Sequence, residues 1–227
     1  LLAQVKLHDI IRSCKFIKKY IHFTTPEVYG NTTKKIKENF NFAPTTPYAV
    51  SRAACDMHLK SFFEAYNFPV IFTRAANVYG PGQQLYRIIP RTILSALSGR
   101  EMNLHGGGLS IRSFIHIKDV IRGTLKLAKD AEPGTTWHLS TKNPISIKDL
   151  VKKIFELCNV DSCNIVKVSG ERLGKDQSYL LDSSLIRDKF DWNDQIDLIT
   201  GIKETIEWVE KNFDVLCKLD WEYKHKK

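Results

Sequence analysis

The chain has 227 residues, 43% apolar and 26% charged, with a formal net charge of +9, the profile of a globular protein able to bury a real core. No apolar run approaches the roughly 18–20 residues that span a bilayer. The 34 basic residues are mixed with 25 acidic ones along the chain, without the basic arm or aromatic–basic alternation of a nucleic-acid binder. Five cysteines, an odd number in no metal-ligand spacing, predict reduced thiols in a cytoplasmic protein and no metal site.

The segment Leu1–Lys6 lacks a basic stretch followed by an apolar core and cleavage site, so it does not read as a signal peptide. It reads as the middle of a helix. That helix is predicted over Leu1 to Tyr20, with Leu2, Val5, Ile10 and Ile11 as its apolar face. A short strand, Tyr20 to Thr24, runs into a loop at Thr25-Pro26-Glu27, and residues 31–46 form a polar loop. Pro47 suits a helix start with Thr45 or Thr46 as cap, and the helix runs to about Tyr66. Val70 to Thr73 is an apolar strand of the kind buried in parallel sheets.

After Asn77 the character changes. Helices are predicted over Ile88 to Leu97, Ile147 to Leu157 and Leu198 to Phe213, strands over Ser113 to Ile117 and Trp137 to Ser140, and a loop at Gly106-Gly107-Gly108. The alternation predicts an α/β fold.

The main chemical signal is Tyr48-Ala49-Val50-Ser51-Arg52. Residues four apart share a helix face, and a cation there lowers the pKa of a tyrosine, making it a usable general base. Around it stand Phe23-Thr24-Thr25-Pro26-Glu27-Val28-Tyr29-Gly30 upstream and Arg74-Ala75-Ala76-Asn77-Val78-Tyr79-Gly80-Pro81-Gly82-Gln83 downstream. Further on come the segments from Gly108 to Val120 and from Gly170 to Asp176. In order and spacing these motifs resemble the extended short-chain dehydrogenases that act on nucleotide sugars, the NAD-dependent epimerase/dehydratase family. Within it they are nearest to the dTDP-glucose 4,6-dehydratases.

The resemblance implies the C-terminal part of a Rossmann-type parallel sheet, over residues 1–77 with 113–130 returning to it, and a smaller α+β substrate domain, mainly 78–227. It implies an NAD-dependent enzyme that oxidises C4 of a nucleotide-diphosphate sugar, removes water across C5–C6 and reduces C6. It makes Tyr48 the base at the 4-hydroxyl, Thr25 a hydrogen-bond partner of that hydroxyl, and Glu27 the base at C5. Tyr48, Arg52 and Val78 fall on the cofactor side. Asn77, Arg112 and Arg172 match positions that hold the diphosphate, which favours guanidinium forks; Arg87, His105 and Asn143 match nucleotide-side contacts. A homodimer formed through the helices at 1–20 and 47–66 is implied as well, with Ala49, Ala53 and Ala54 permitting close approach.

Three departures stand out. The glycine-rich turn that cradles the NAD pyrophosphate is absent, and the resemblance implies a missing N-terminal part of about 90 residues, roughly three βαβ-sized units. Arg52 stands where the family has lysine, and Pro26 where the dehydratases have an acid. Two alternatives stay open: a nucleotide-sugar 4-epimerase or decarboxylase on the same scaffold, and a non-catalytic sugar-nucleotide-binding protein.

Overall fold

The computed structural model describes residues 1–170 and 178–222. In chain order its elements are α1 (Leu2–Arg12), β1 (Tyr20–Thr24), α2 (Pro47–Tyr66), β2 (Val70–Ala75), β3 (Asn77–Tyr79), α3 (Ile88–Ser98) and β4 (Met102–His105). They continue with β5 (Ile111–Arg112), β6 (Phe114–His116), α4 (Ile117–Asp130), β7 (Thr136–Leu139), β8 (Ile145–Ser146), α5 (Ile147–Leu157) and β9 (Val166–Ser169). The last are α6 (Ser184–Phe190), α7 (Leu198–Lys211) and the short α8 (Phe213–Leu216). These elements fall into two compact units. Leu1–Val78, Arg112–Pro144 and the described residues of Gly174–Gln195 make the first. Tyr79–Ile111 and the described residues of Ile145–Leu173 and Ile196–Lys227 make the second.

The first unit is built on a parallel sheet of order β1-β2-β7, with Tyr20 opposite Val70 and Phe72 opposite Thr136. As the middle strand, β2 is buried from Val70 through Arg74, which explains its nearly unbroken apolar run. On one side Ile71, Ile115, Leu127, Trp137 and Leu139 form a core with Trp192. On the other, Phe72 and Val70 pack with Leu59 of α2 and Phe68. In the second unit β4 runs parallel to β9, and α3 packs against α5 and α7.

Two sequence expectations need correction here. Helix α1 ends at Arg12, not Tyr20. The Tyr20 amide must donate to the Pro69 carbonyl (2.8 Å) to enter the sheet, so the preceding residues form an irregular connection that turns the chain. Its inward face also differs from the apolar stripe: Leu2 and Ile10 are exposed, and the one fully buried side chain is His8. Strand β2 is two residues longer than its apolar run, because it takes Arg74 into the interior.

That arginine is the centre of a buried polar cage. Arg74 Nη2 donates to Asp56 Oδ2 (2.9 Å), and His22 Nε2 lies 3.0 Å from Asp56 Oδ1. Arg74 Nη1 donates to Tyr29 Oη (2.9 Å), and the guanidinium lies over the Tyr29, Phe40 and Phe42 rings. His138 Nδ1 lies 3.0 Å from the Asp182 carbonyl, which only accepts, so this nitrogen carries the hydrogen. Its Nε2 then accepts from the Tyr29 hydroxyl at 2.9 Å. A buried charge is tolerable when it is paired and hydrogen-bonded in this way.

Burial holds two histidines neutral. Burial first, then the nearby His22, His58 and Arg52, lower the His8 pKa to about 4. Burial first, then Arg74, lower that of His138 to about 3. The unfolded chain binds protons on both near the ordinary histidine value of 6.5, where the folded chain does not. Their contribution to stability is therefore complete above that value and is lost as pH falls toward the folded pKa values. Thermal melts between pH 7 and 5 are expected to show a falling midpoint, and His8→Leu is expected to flatten the fall. A midpoint independent of pH in this window contradicts the assignment.

Candidate active site

Strand β1 ends in a short 3₁₀ turn, Pro26–Tyr29, whose shape follows from its residues. Thr25 Oγ1 accepts from the Glu27 amide (3.3 Å), and Pro26 occupies a first-turn position that needs no amide hydrogen. The turn closes at Gly30 with φ of 69°, where an added Cβ would sit 2.2 Å from the Ala43 carbonyl oxygen; only glycine fits. Pro26, Val28 and Tyr29 are buried, whereas Glu27 between them is half-buried. Anchored on both sides, the turn presents one carboxylate.

Helix α2 begins as its sequence predicts. Thr46 Oγ1 accepts from the Ala49 amide (3.1 Å), and Pro47 occupies the first turn. Tyr48 is exposed (56%) in that turn, one turn before Arg52 and two before the buried Asp56. The Arg52 guanidinium donates to the Phe23 carbonyl near the end of β1 and to Gln4 Oε1 (3.4 Å). It thereby ties α1, β1 and α2 together at the C-terminal edge of the sheet, where open α/β sheets place their ligands. Two buried polar atoms there, Thr24 Oγ1 and Arg52 Nε, have no partner among the described residues. Ala49 and Ala53 are buried in the chain's own interior, Ala53 against Val28, Tyr29 and Leu181. They are not surface positions for close approach by a second chain.

The diphosphate candidates of the first unit meet on an aromatic ring that the sequence did not single out. Tyr179 Oη donates to Asn77 Oδ1 (3.1 Å), and the Arg112 guanidinium lies 4.1 Å from the Tyr179 ring centroid. Burial raises the Tyr179 pKa; Arg112 opposes the shift and Glu27 adds to it. Thus one phenol senses the Glu27 carboxylate as well as both diphosphate candidates. The available signal was an aromatic residue in the polar stretch after Gly170.

The remaining candidates are more scattered. Val78 packs against the Ile71–Ile115 core. Asn143 is exposed in a loop, its amide donating to Thr141 Oγ1 (3.4 Å). In the second unit Arg87 precedes α3 and stacks on Tyr86 (5.4 Å), and His105 ends β4 with Nδ1 2.9 Å from Ser169 Oγ. Arg172 lies outside the described residues.

Comparison with known proteins gives the family and the fold. The model of the NAD dependent epimerase/dehydratase family matches residues 1–139. Human dTDP-D-glucose 4,6-dehydratase is 34% identical over 203 residues, covering 87% of this chain and 58% of that enzyme. A trifunctional UDP-glucose 4,6-dehydratase/UDP-4-keto-6-deoxy-D-glucose 3,5-epimerase/UDP-4-keto-L-rhamnose-reductase of Arabidopsis thaliana is 32% identical over 212 residues, covering 90% of this chain and 32% of that protein. The crystal structure of DesIV, a dTDP-glucose 4,6-dehydratase from Streptomyces venezuelae with NAD and TYD bound, superposes with a TM-score of 0.89 at 25% identity. That match covers 93% of this chain and 66% of DesIV. The chain thus spans about a third to two thirds of the length of these proteins. With a family match over more than half its length and the same α/β architecture, this chain belongs to the NAD dependent epimerase/dehydratase family.

Proposed function

We propose that the protein carrying this chain is a nucleotide-sugar 4,6-dehydratase that uses NAD. The observation that carries the reading is the Glu27 turn, a half-buried carboxylate at the end of β1 whose following loop is hydrogen-bonded to the segment of Tyr179, the ring that meets Asn77 and Arg112. A 4-epimerase needs no base at C5, whereas a 4,6-dehydratase does, so this carboxylate favours the dehydratase over the alternatives. Asn77 and Arg112 hold the diphosphate, a role the resemblance also gives Arg172, while Arg87, His105 and Asn143 are the positions it gives to the nucleotide. Tyr48 takes the proton of the sugar 4-hydroxyl, and Thr25 hydrogen-bonds that hydroxyl. Glu27 removes the C5 proton and passes it to the departing 6-hydroxyl, because Pro26 has no proton to give.

The edge formed by Tyr48, Arg52 and the Thr24 hydroxyl, which has no partner among the described residues, suits the nicotinamide–ribose end of the dinucleotide, and we assign Val78 to the cofactor by the resemblance alone. When bound, NAD supplies the two-electron acceptor for oxidation at C4. The pyrophosphate cradle is not among these 227 residues, which contain no Gly-x-x-Gly-x-x-Gly turn. The test is incubation of the protein with UDP- and dTDP-hexoses under mass detection. A product lighter by one water is expected, and a product of unchanged mass with inverted C4 overturns the dehydratase in favour of the epimerase.

We further propose that the protein is cytoplasmic, consistent with five free cysteines, and that it forms a homodimer. No helix among the described residues is long and apolar enough to cross a membrane. The pairing face is the exposed stripe of Val50 and Met57 on α2 with Leu7 and Ile10 on α1. Spacing of seven residues places Val50 and Met57 on one side of the helix. Val50→Asp combined with Met57→Lys is expected to shift the protein from dimer to monomer in sedimentation, without changing its helical content. A dimer that survives both changes contradicts this face.

A further inference from the structure

We infer that Tyr179 is a positioning residue for diphosphate recognition, locking Asn77 and Arg112 into one array and registering that array to the Glu27 turn. The inference rests on the nucleotide-sugar reading and deepens it. Three contacts support it, and each fixes a different degree of freedom.

The phenol proton is given to Asn77 Oδ1 at 3.1 Å. A side-chain amide has one accepting and one donating end, and occupying the oxygen fixes which end is which. The NH₂ end is the one an anionic oxygen requires. Arg112, itself buried, lies with its guanidinium carbon 4.1 Å from the Tyr179 ring centroid. A guanidinium held by its face has a fixed plane, and two parallel hydrogen bonds to a phosphate need such a plane.

The third contact is through the backbone. Residues 178–182 are zipped onto the loop that leaves the Glu27 turn. The Thr32 amide donates to the Ser178 carbonyl (2.9 Å), the Leu180 amide to Thr32 Oγ1 (2.8 Å), and the Ile36 amide to the Leu180 carbonyl (2.9 Å). The Ser178 amide donates to Asn31 Oδ1 (2.9 Å), and Leu181 is buried against Val28 and Tyr29. The ring therefore cannot shift without moving the loop that follows Glu27. Substrate held by its diphosphate is thereby set at a fixed distance from the base.

The experiment is calorimetry on the protein with UDP, dTDP and the corresponding monophosphates, beside steady-state kinetics and thermal melts. Tyr179→Phe keeps the stacking surface but loses the hydroxyl's hydrogen bonds with Asn77 and Arg112. It is expected to weaken diphosphate binding about three- to ten-fold, to raise KM by a similar factor, and to leave kcat within about two-fold. Tyr179→Leu also loses the stacked face and is expected to weaken binding about ten- to a hundred-fold. In both variants the monophosphates are expected to suffer less than the diphosphates, with little change in melting temperature for Tyr179→Phe. Equal losses for mono- and diphosphates, or losses that track the melting temperature, make Tyr179 a packing residue and overturn the inference. Unchanged diphosphate affinity overturns it too. A wild-type protein that binds neither UDP nor dTDP removes the nucleotide-sugar reading itself, and this inference with it.

Discussion

Glu27→Gln is expected to slow water loss from the nucleotide sugar by on the order of 10²–10⁴, the usual contribution of one general acid–base group. The glutamine is nearly isosteric, so the turn that Thr25 caps and Gly30 closes is retained and substrate affinity should change little. In the proposed mechanism, oxidation at C4 relies on Tyr48 and Thr25 rather than Glu27. It should remain visible as a transient rise in reduced-nicotinamide absorbance. The pattern to look for is thus oxidation without elimination. Near wild-type dehydration by Glu27→Gln removes the main support for the dehydratase reading. Pro26→Asp works in the opposite direction. It places a second carboxyl beside the first, and turnover should hold or rise modestly if Glu27 alone now serves as both base and acid.

Arg74→Met is expected to destabilise the protein by about 3–5 kcal/mol, the cost of stranding one member of a buried ion pair. For a chain of this size that corresponds to a melting point lower by roughly 6–20 °C. The cause is the Asp56 carboxylate, which keeps its 3.0 Å contact with His22 but loses the 2.9 Å bond from Arg74 that balances its charge. Adding Asp56→Leu to Arg74→Met removes the stranded charge and should recover part of the loss. If the double variant is no more stable than Arg74→Met alone, the damage lies in the ring contacts of the guanidinium and not in the ion pair.

Local rules served well where local chemistry decides the outcome. Thr46 and Pro47 start α2, and the run from Val70 marks the buried middle strand. The strand Tyr20–Thr24 matches its predicted bounds, since β-branched and aromatic residues between turn formers carry that signal. What stayed hidden depends on partners far away in the chain. Arg74 looks like the end of an apolar strand until Asp56 and Tyr29 are seen to enclose it. Tyr179 meets Asn77 across 102 residues, which no spacing rule reaches. His8 is harder still, because a histidine sealed between α1 and the sheet violates the apolar pattern that defines a helix face. Where Arg87 and His105 stand within the second unit follows from α3 and β4, and their proposed role awaits the ligand experiments above.

The Arg74 cage also bears on how the first unit reaches its folded state. Its members come from the Glu27 turn, the polar loop at Asn39, helix α2, strand β2 and strand β7. Tyr29 and His138 alone are separated by 109 residues. Contacts of such separation carry a loop-closure cost before they return any energy. A half-assembled cage leaves a guanidinium and a carboxylate desolvated without partners, which is worse than either the open or the finished state. The cage is therefore expected to close late and all at once. Amide hydrogens of β2 and the middle of α2 should then exchange only through a shared opening, as one cooperative block. The two elements that carry the proposed catalytic groups, the Glu27 turn and the start of α2, are kept in register by that block.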